Sequence, residues 1–501
     1  MTQSKYNLLS QIVGMFCLAF TMLNCDNEEP PFLSVTNGGQ AANNIQSPST
    51  ESTQQLTITA SGNWSISVDQ SWVKLSKVSG TGKGDISIDV DANPTVSARS
   101  ANIKVQANDV SNPQTIVITQ AGCDPILKVS RSLVPFEAIG STDTLRVVSN
   151  TSWTISENES WLSITPSSGT GNATIVLNVV KNVGLSNREG SFSVGTSPIK
   201  VTKDVSIVQE PGVTIVAGGN GSGSGLGQLD MPSTLWGDNK GNIFITDQYN
   251  HRVMKWAAKD LQGTLVAGGH GPGPAFNQLD NPYGIFVNSD GDMYIADAPN
   301  HRVVKWTAGS SSGSLIAGGN GGGTNLNQIN PTAVYVKSNG DLYAAEGGLV
   351  HRITKWEPGA NSGILIAEGA PVSFATGVAV DKDGNVYIVS GDNSNVTKWA
   401  PGATEGVVVA GGNDRGTDLN QLTGPSGIFV DDDGSIYISE QGNDRIVKWL
   451  PGATAGIVVA GGNGKGSSLN QFNSVSSLWV DDKGYIYACD QANHRIVRWV
   501  E

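Results

Sequence analysis

Charge is scarce in this sequence, and the scarcity narrows what the chain can be. Only 15% of its 501 residues are charged, summing to a net −13. No basic patch is present to neutralise phosphates, which excludes nucleic acid as a partner. Four cysteines (Cys17, Cys25, Cys123 and Cys489) are too few and too scattered for a disulfide framework, and none has metal-ligand spacing. Helical periodicity is missing as well: apolar residues alternate in short runs instead of recurring every three or four positions. Glycine, by contrast, reaches 62 residues. Low charge, many Gly, Ser, Thr and Asn, and alternating runs describe an all-β, turn-rich protein of the extracytoplasmic kind. The length allows several domains, each with its own core.

What the chain does have is a repeat, which sets the reading of everything else. The segment Asn493-His494-Arg495-Ile496-Val497-Arg498-Trp499 has copies ending at Trp256 and Trp306, and looser ones ending at Trp356, Trp399 and Trp449. Successive tryptophans are 50, 50, 43, 50 and 50 residues apart. Within a unit, Gly427-Ile428-Phe429-Val430 meets the turn Asp431-Asp432-Asp433-Gly434 and a second run, Ile436-Tyr437-Ile438. A third run closes on Lys448-Trp449, and a fourth resembles Val407-Val408-Val409-Ala410. Four short β-branched strands make one antiparallel sheet, and six such sheets around an axis make a propeller. The last copy stops at Glu501 without its fourth strand, whereas Val213 to Gly219 stands as an orphan before the first copy. Joining the two would close the ring and remove two exposed edges. Repeat length, the Asn-His-Arg motif and this strand order resemble the NHL-repeat family of six-bladed propellers, over roughly residues 213 to 501.

Residues 32 to 211 hold a second repeat, with a period of 89. Trp64 and Trp72 match Trp153 and Trp161, Gly80-Thr81-Gly82 matches Gly169-Thr170-Gly171, Arg99 matches Arg188, and Gln120 matches Gln209. Alternation such as Trp64, Ile66, Val68 reads as short strands of a β-sandwich. The paired tryptophans, the Gly-x-Gly turn and the terminal Val-x-Ile-x-Gln strand resemble the BACON domain, named for a suspected carbohydrate-binding role. Two readings of Trp72 and Trp161 stand side by side: exposed platforms for sugar rings, or core residues in the buried phase of their strands. On the second reading the sandwiches are spacers. The expected fold is therefore all-β, with two tandem Ig-like β-sandwiches (32–122 and 123–211) followed by a six-bladed β-propeller (212–501).

The N-terminus reads as a targeting segment. An apolar stretch from about Leu8 to Leu23 follows Lys5, too short for a membrane span and suited to a signal peptide over 1–24. Met22-Leu23-Asn24-Cys25 resembles a bacterial lipobox, with Asn24 an uncommon residue before the cysteine. That resemblance makes Cys25 the lipidated residue. Asp26-Asn27-Glu28-Glu29 resembles the acidic export tag of Bacteroidetes surface lipoproteins and opens a tether over 25–31. The expected location is the outer membrane, reached through the lipid anchor alone and exposed at the cell surface.

Comparing copies separates scaffold from site. An acid ending strand two occurs with an Arg opening strand three: Asp247 with Arg252, Asp297 with Arg302, Glu346 with Arg352, Glu440 with Arg445, Asp490 with Arg495. Blade four replaces both, with Ser390 and Asn395. Joint loss is what a structural ion pair predicts, since one partner alone would strand a half-buried charge. His251, His301, His351 and His494 hold equivalent loop positions; they need not converge on one metal ion, and turn hydrogen bonds are their expected role. Propeller lyases, which use channel histidines, and lactonases, which use carboxylates, are related by the resemblance. However, the strand-one openings here, such as Pro282-Tyr283-Gly284 and Pro425-Ser426-Gly427, hold no His, Asp, Glu, Cys or Lys. No general base or nucleophile is visible there. Neither enzyme activity, nor a metal, nor a cofactor is expected.

What remains is a recognition face built from the inter-blade loops and the loops between strands two and three. It offers Tyr249, His251, His270, Phe276, His301 and His494, with amides such as Gln228, Gln278 and Gln328. These groups suit sugars or peptides, and equally suit hydrogen bonding between loops. Blade four is seven residues short, in the loop Glu368-Gly369-Ala370-Pro371-Val372-Ser373-Phe374. A notch with His351, Phe374 and Asp392 at its edge is one expectation there, and a decayed repeat is the other. The chain is thus expected to be a monomeric, surface-anchored, non-catalytic receptor for an extracellular glycan or protein ligand. A structural scaffold within an envelope complex is the alternative, and a propeller lyase or lactonase the third.

Overall fold

The computed structural model describes residues 30–348 and 350–501. The expected signal peptide, most of the acidic tether and Cys25 lie outside the described residues. Within them there is no α-helix, only strands and four one-turn 3-10 segments. No helix there is long and apolar enough to cross a membrane.

The first sandwich is organised by one long strand, Ser52–Val68. Its first half pairs with Leu33–Asn37 and Ser79–Val90, and past an irregularity between Thr59 and Asn63 it pairs with Arg99–Ala107. One strand thereby serves both faces of a single core containing Leu56, Ile58, Trp64, Ile86, Ile103 and Ile116. Glycine is required under Trp64: a Cβ at Gly80 would sit 2.3 Å from the indole. The second sandwich has two separate sheets, one of which carries Leu133–Phe136 parallel to Thr202–Gln209. The first sandwich repeats that parallel pair as Asn44–Ser47 with Gln114–Gln120.

Six four-stranded antiparallel sheets follow. The sheet of blade one runs Pro232–Gly237, Ile243–Asp247, Arg252–Trp256 and Thr264–Gly268, and the other five repeat it. Blade six takes its fourth strand from the front of the array. Val213–Gly218 pairs antiparallel with Arg495–Val500, Val213 opposite Trp499 and Gly218 opposite Arg495. First strands pack side by side in cyclic order, blade six against blade one. The ring is closed.

Each repeat tryptophan is buried against its own blade and the preceding one. Trp256 packs with Trp479 of blade six, Trp306 with Phe244 of blade one, and Trp399 with Tyr343 of blade three. A glycine lies under the ring in five blades; at Gly406 a Cβ would come 2.3 Å from the Trp399 indole nitrogen. Aromatic residues near the end of strand one meet at the middle of the ring. Trp236, Phe286 and Tyr335, from three successive blades, lie 4.6 to 6.3 Å apart between centroids.

Candidate functional site

The acid–Arg residues form a repeated clamp. Asp247 accepts Arg252 Nε at 2.7 Å, Asn250 Nδ2 at 2.9 Å and the Asp230 backbone N–H at 2.7 Å. The remaining Arg252 nitrogens donate to the carbonyls of Ser224, Gly225 and Gln228. Asp297–Arg302, Glu346–Arg352, Glu440–Arg445 and Asp490–Arg495 repeat this arrangement. Both partners are almost fully buried in every copy. Burial pushes the carboxyls of Asp247, Asp297, Glu440 and Asp490 upward, against the pull of their hydrogen bonds and the guanidinium. Each clamp holds the glycine-rich loop that leads into its own blade.

The histidines act one step further out. His251, His301 and His494 each sit in the left-handed region at the end of a 3-10 turn. His251 Nδ1 accepts the Asn281 N–H at 3.1 Å, and His494 Nδ1 accepts the Met231 N–H at 3.2 Å. Both acceptors therefore latch one blade to the opening of the next. His351 does the same with the Phe374 N–H at 2.8 Å, and Asp444 replaces histidine in blade five, taking the Ser474 N–H at 2.7 Å. His301 Nδ1 is buried with no hydrogen-bond partner. The next blade opens there on Asn330-Pro331, one residue shorter than Asp280-Asn281-Pro282. Proline has no N–H to offer. The remaining histidine, His270, is exposed, and its carbonyl accepts Gln278 Nε2.

The amides of the face are engaged by their own loops. Asn220 Nδ2 donates to Gly227 O while Gln228 Nε2 donates to Asn220 O, and the same reciprocal pair recurs at Asn320/Gln328, Asn413/Gln421 and Asn463/Gln471. These bonds are the loop bracing that one of the two readings of the amides expects.

At the axis, hydroxyls join blade to blade. Thr332 donates to Ala375 O, Thr376 to Pro425 O, Ser426 to Ser476 O and Ser476 to Ser233 O. Between blades one and two the link comes from Thr246, which donates to Tyr283 O. Blade two has Tyr283 where these blades place Ser or Thr. The residue is 39% exposed, and Gly284 beside it approaches Ala333 Cα so closely that a Cβ would lie at 2.8 Å. Tyr283 therefore stands open at the ring mouth. The sequence already showed this departure from the repeat, but without the hydroxyl links it carried no meaning.

Two further clusters flank the mouth. At the seam of blades one and two, Tyr249 is 56% exposed and follows the Asp247 clamp, while His251 Nδ1 lies 3.3 Å from Asp280. Phe276, 48% exposed, has the Arg302 guanidinium 5.4 Å from its ring centre. At the short blade, the structure brings His351, Phe374 and Asp392 together. Ser373 Oγ donates to Asp392 Oδ2 at 2.8 Å, and Phe374, at φ +50°, keeps its ring exposed. The shortened loop is a 3-10 turn, Ala370–Val372, with Val372 buried in the inter-blade core.

In the sandwiches the tryptophans divide. Trp64 and Trp153 are core residues. Trp72 and Trp161 are half-buried, with the guanidinium of Arg99 or Arg188 4.3 or 5.5 Å from the ring centre. The second pair is thus partly packed and partly open, with an Arg over each ring.

Residues 62–121 match the family model described as "BACON: Putative binding domain, N-terminal", and residues 127–210 match "Viral BACON domain". No curated protein matches the chain. Among solved structures, a protein of unknown function from Bacteroides thetaiotaomicron is similar at 15% identity and TM-score 0.48, over 75% of this chain and 98% of that one. Virginiamycin B lyase from Staphylococcus aureus is similar at 11% identity and TM-score 0.40, over 70% of this chain and 99% of its own. A streptogramin B lyase gives 13% identity and TM-score 0.37, over 69% and 97%.

Proposed function

We propose that this chain is a non-catalytic receptor that binds extracellular glycan on the loop face of its propeller. The observation that carries the reading is Tyr283, an exposed phenol at the ring mouth where four other blades hold hydroxyls bonded to their neighbours. Aromatic rings with one polar tip stack on the C–H faces of sugars while hydrogen-bonding their hydroxyls. Tyr249 at the same seam and Phe374 at the short blade extend that surface. Against turnover stands the composition of the mouth: hydroxyls engaged by backbone carbonyls are poor general bases. On this proposal the propeller is of the NHL type, and Cys25 anchors the chain to the outer membrane at the cell surface.

A scaffold role has one observation in its favour. Leu226, Phe276, Leu326 and Leu419 occupy equivalent loop positions and are all exposed. A periodic apolar rim of this kind fits a protein partner.

The Cys25→Ala chain is expected to leave the membrane fraction and can be screened soluble on a glycan array. Binding of a glycan family, weakened at least about tenfold by Tyr283→Ala, is the expected result. Persistence in the membrane fraction would refute the anchor. An empty array with capture of a single envelope protein would favour the scaffold.

A further inference from the structure

The opposite end of the ring holds a second feature. A cleft of about 750 Å³ lies where the second sandwich meets blades six and one. One wall is the sandwich, through Glu137, Glu210 and Pro211; the others are the strand-one-to-two turns of both blades and the loop after Trp256. Six-fold repetition does not produce it, since it combines ring and sandwich.

Its groups depart from the repeat. In blade four, Lys398 lies 3.7 Å from the turn carboxylate Asp381. The corresponding blade-six cation is Arg498, but it turns to Glu210 at 3.0 Å and stacks 4.4 Å over Tyr485. Lys259 reaches the same Glu210 at 3.2 Å, and Lys483 pairs with Glu137 at 2.8 Å. Asp481 is left with the Tyr487 hydroxyl at 3.3 Å and two backbone N–H groups. Burial raises its carboxyl, whereas Asp381 is lowered by its hydrogen bonds and Lys398. Thr214, also in the lining, has a buried hydroxyl with no hydrogen-bond partner. Tyr487 and Trp479, their centroids 5.2 Å apart, form an aromatic wall.

We infer that this cleft is a second binding site, taking a short stretch of neutral oligosaccharide. Lys259, Lys483 and Arg498 are each paired with Glu210 or Glu137, so an anionic ligand gains little net attraction from them. Sugar hydroxyls both donate and accept, and adjacent ion-paired groups offer them an acceptor and a donor side by side. The aromatic wall accepts the C–H face, and the volume falls within the ordinary range for ligand sites. The inference rests on the glycan reading above and adds a place on the other face of the ring.

The test is calorimetric titration of neutral gluco-, manno- and xylo-oligosaccharides into the soluble chain. Three variants accompany it: Ala258→Trp, which fills the cleft from an exposed position, Lys259→Ala, and Tyr283→Ala on the loop face. Thermal unfolding verifies that each is folded. Binding lost in Ala258→Trp, at least about tenfold weaker in Lys259→Ala and retained at one site in Tyr283→Ala supports the cleft. Binding that survives Ala258→Trp unchanged but disappears with Tyr283→Ala overturns the cleft and leaves the receptor reading intact. No binding by the parent chain overturns both.

Discussion

At the scale of single residues, most polar side chains that look available in the sequence hold the ring together. The acid–Arg clamps, the His latches and the Asn/Gln pairs each satisfy backbone groups in loops too rich in glycine to brace themselves. The sequence shows which residues occupy equivalent positions, and the joint replacement of acid and Arg by Ser390 and Asn395 in blade four marks an ion pair. It does not show that the histidine reaches across a seam, because its partner is a backbone N–H some 30 residues on, as at Asn281. The exception is His301, deprived of that partner by Pro331. His251→Ala is therefore expected to lower stability by about 1 kcal/mol, while His301→Ala stays within about 0.5 kcal/mol of the parent. Denaturant unfolding of both variants checks this, and equal losses would deny the latch.

At the scale of elements, the closing strand decides whether six sheets make a ring. The orphan run at Val213 was legible because the last repeat lacks a strand and an unpaired edge is costly to leave open. Less legible was the aromatic meeting of Trp236, Phe286 and Tyr335: each looks like an ordinary strand residue, and only the curvature of the ring brings three blades together. Cys489 reports on closure. It is fully buried, its Sγ lies 3.0 Å from Pro232 O of blade one, and burial pushes the thiol up to about 12. Alkylation at pH 8, mapped by mass spectrometry, should spare Cys489 in the intact chain and label it when Val213–Gly218 is deleted. The same burial sets a pH dependence. The unfolded thiol ionises near pH 9 but the folded one does not, so the unfolded state binds fewer protons and stability falls as pH rises from about 9 to 12. Burial raises Tyr437 and Tyr485 as well, which adds in the same direction. The melting temperature should therefore decline over that window, and Cys489→Ala should reduce the decline.

At the scale of the whole molecule, the second sandwich is part of the ring's support. Ala138 packs with Tyr485 and Val500, and the Tyr485 hydroxyl accepts the Ile139 N–H. The Lys483–Glu137 pair is half-exposed and contributes little beside these buried contacts. Sequence periodicity leaves this module as a sugar binder or a spacer and says nothing of its contact with the ring, since contacts between unlike domains leave no repeat. The traces it did leave are departures: Tyr485 where other blades carry Asp, Asn or Ser, and Arg498 where they carry Lys. Those departures surround the cleft, and Tyr283 is the departure at the mouth, so function is sought where the repeat is broken.

The central claim is that the chain holds a glycan without changing it. Its most direct test incubates the soluble chain with an array-selected oligosaccharide, separates the complex, and analyses the recovered ligand by mass spectrometry. The account predicts stoichiometric retention and release of the oligosaccharide at its original mass. A cleaved or eliminated product accumulating beyond the amount of protein would contradict it.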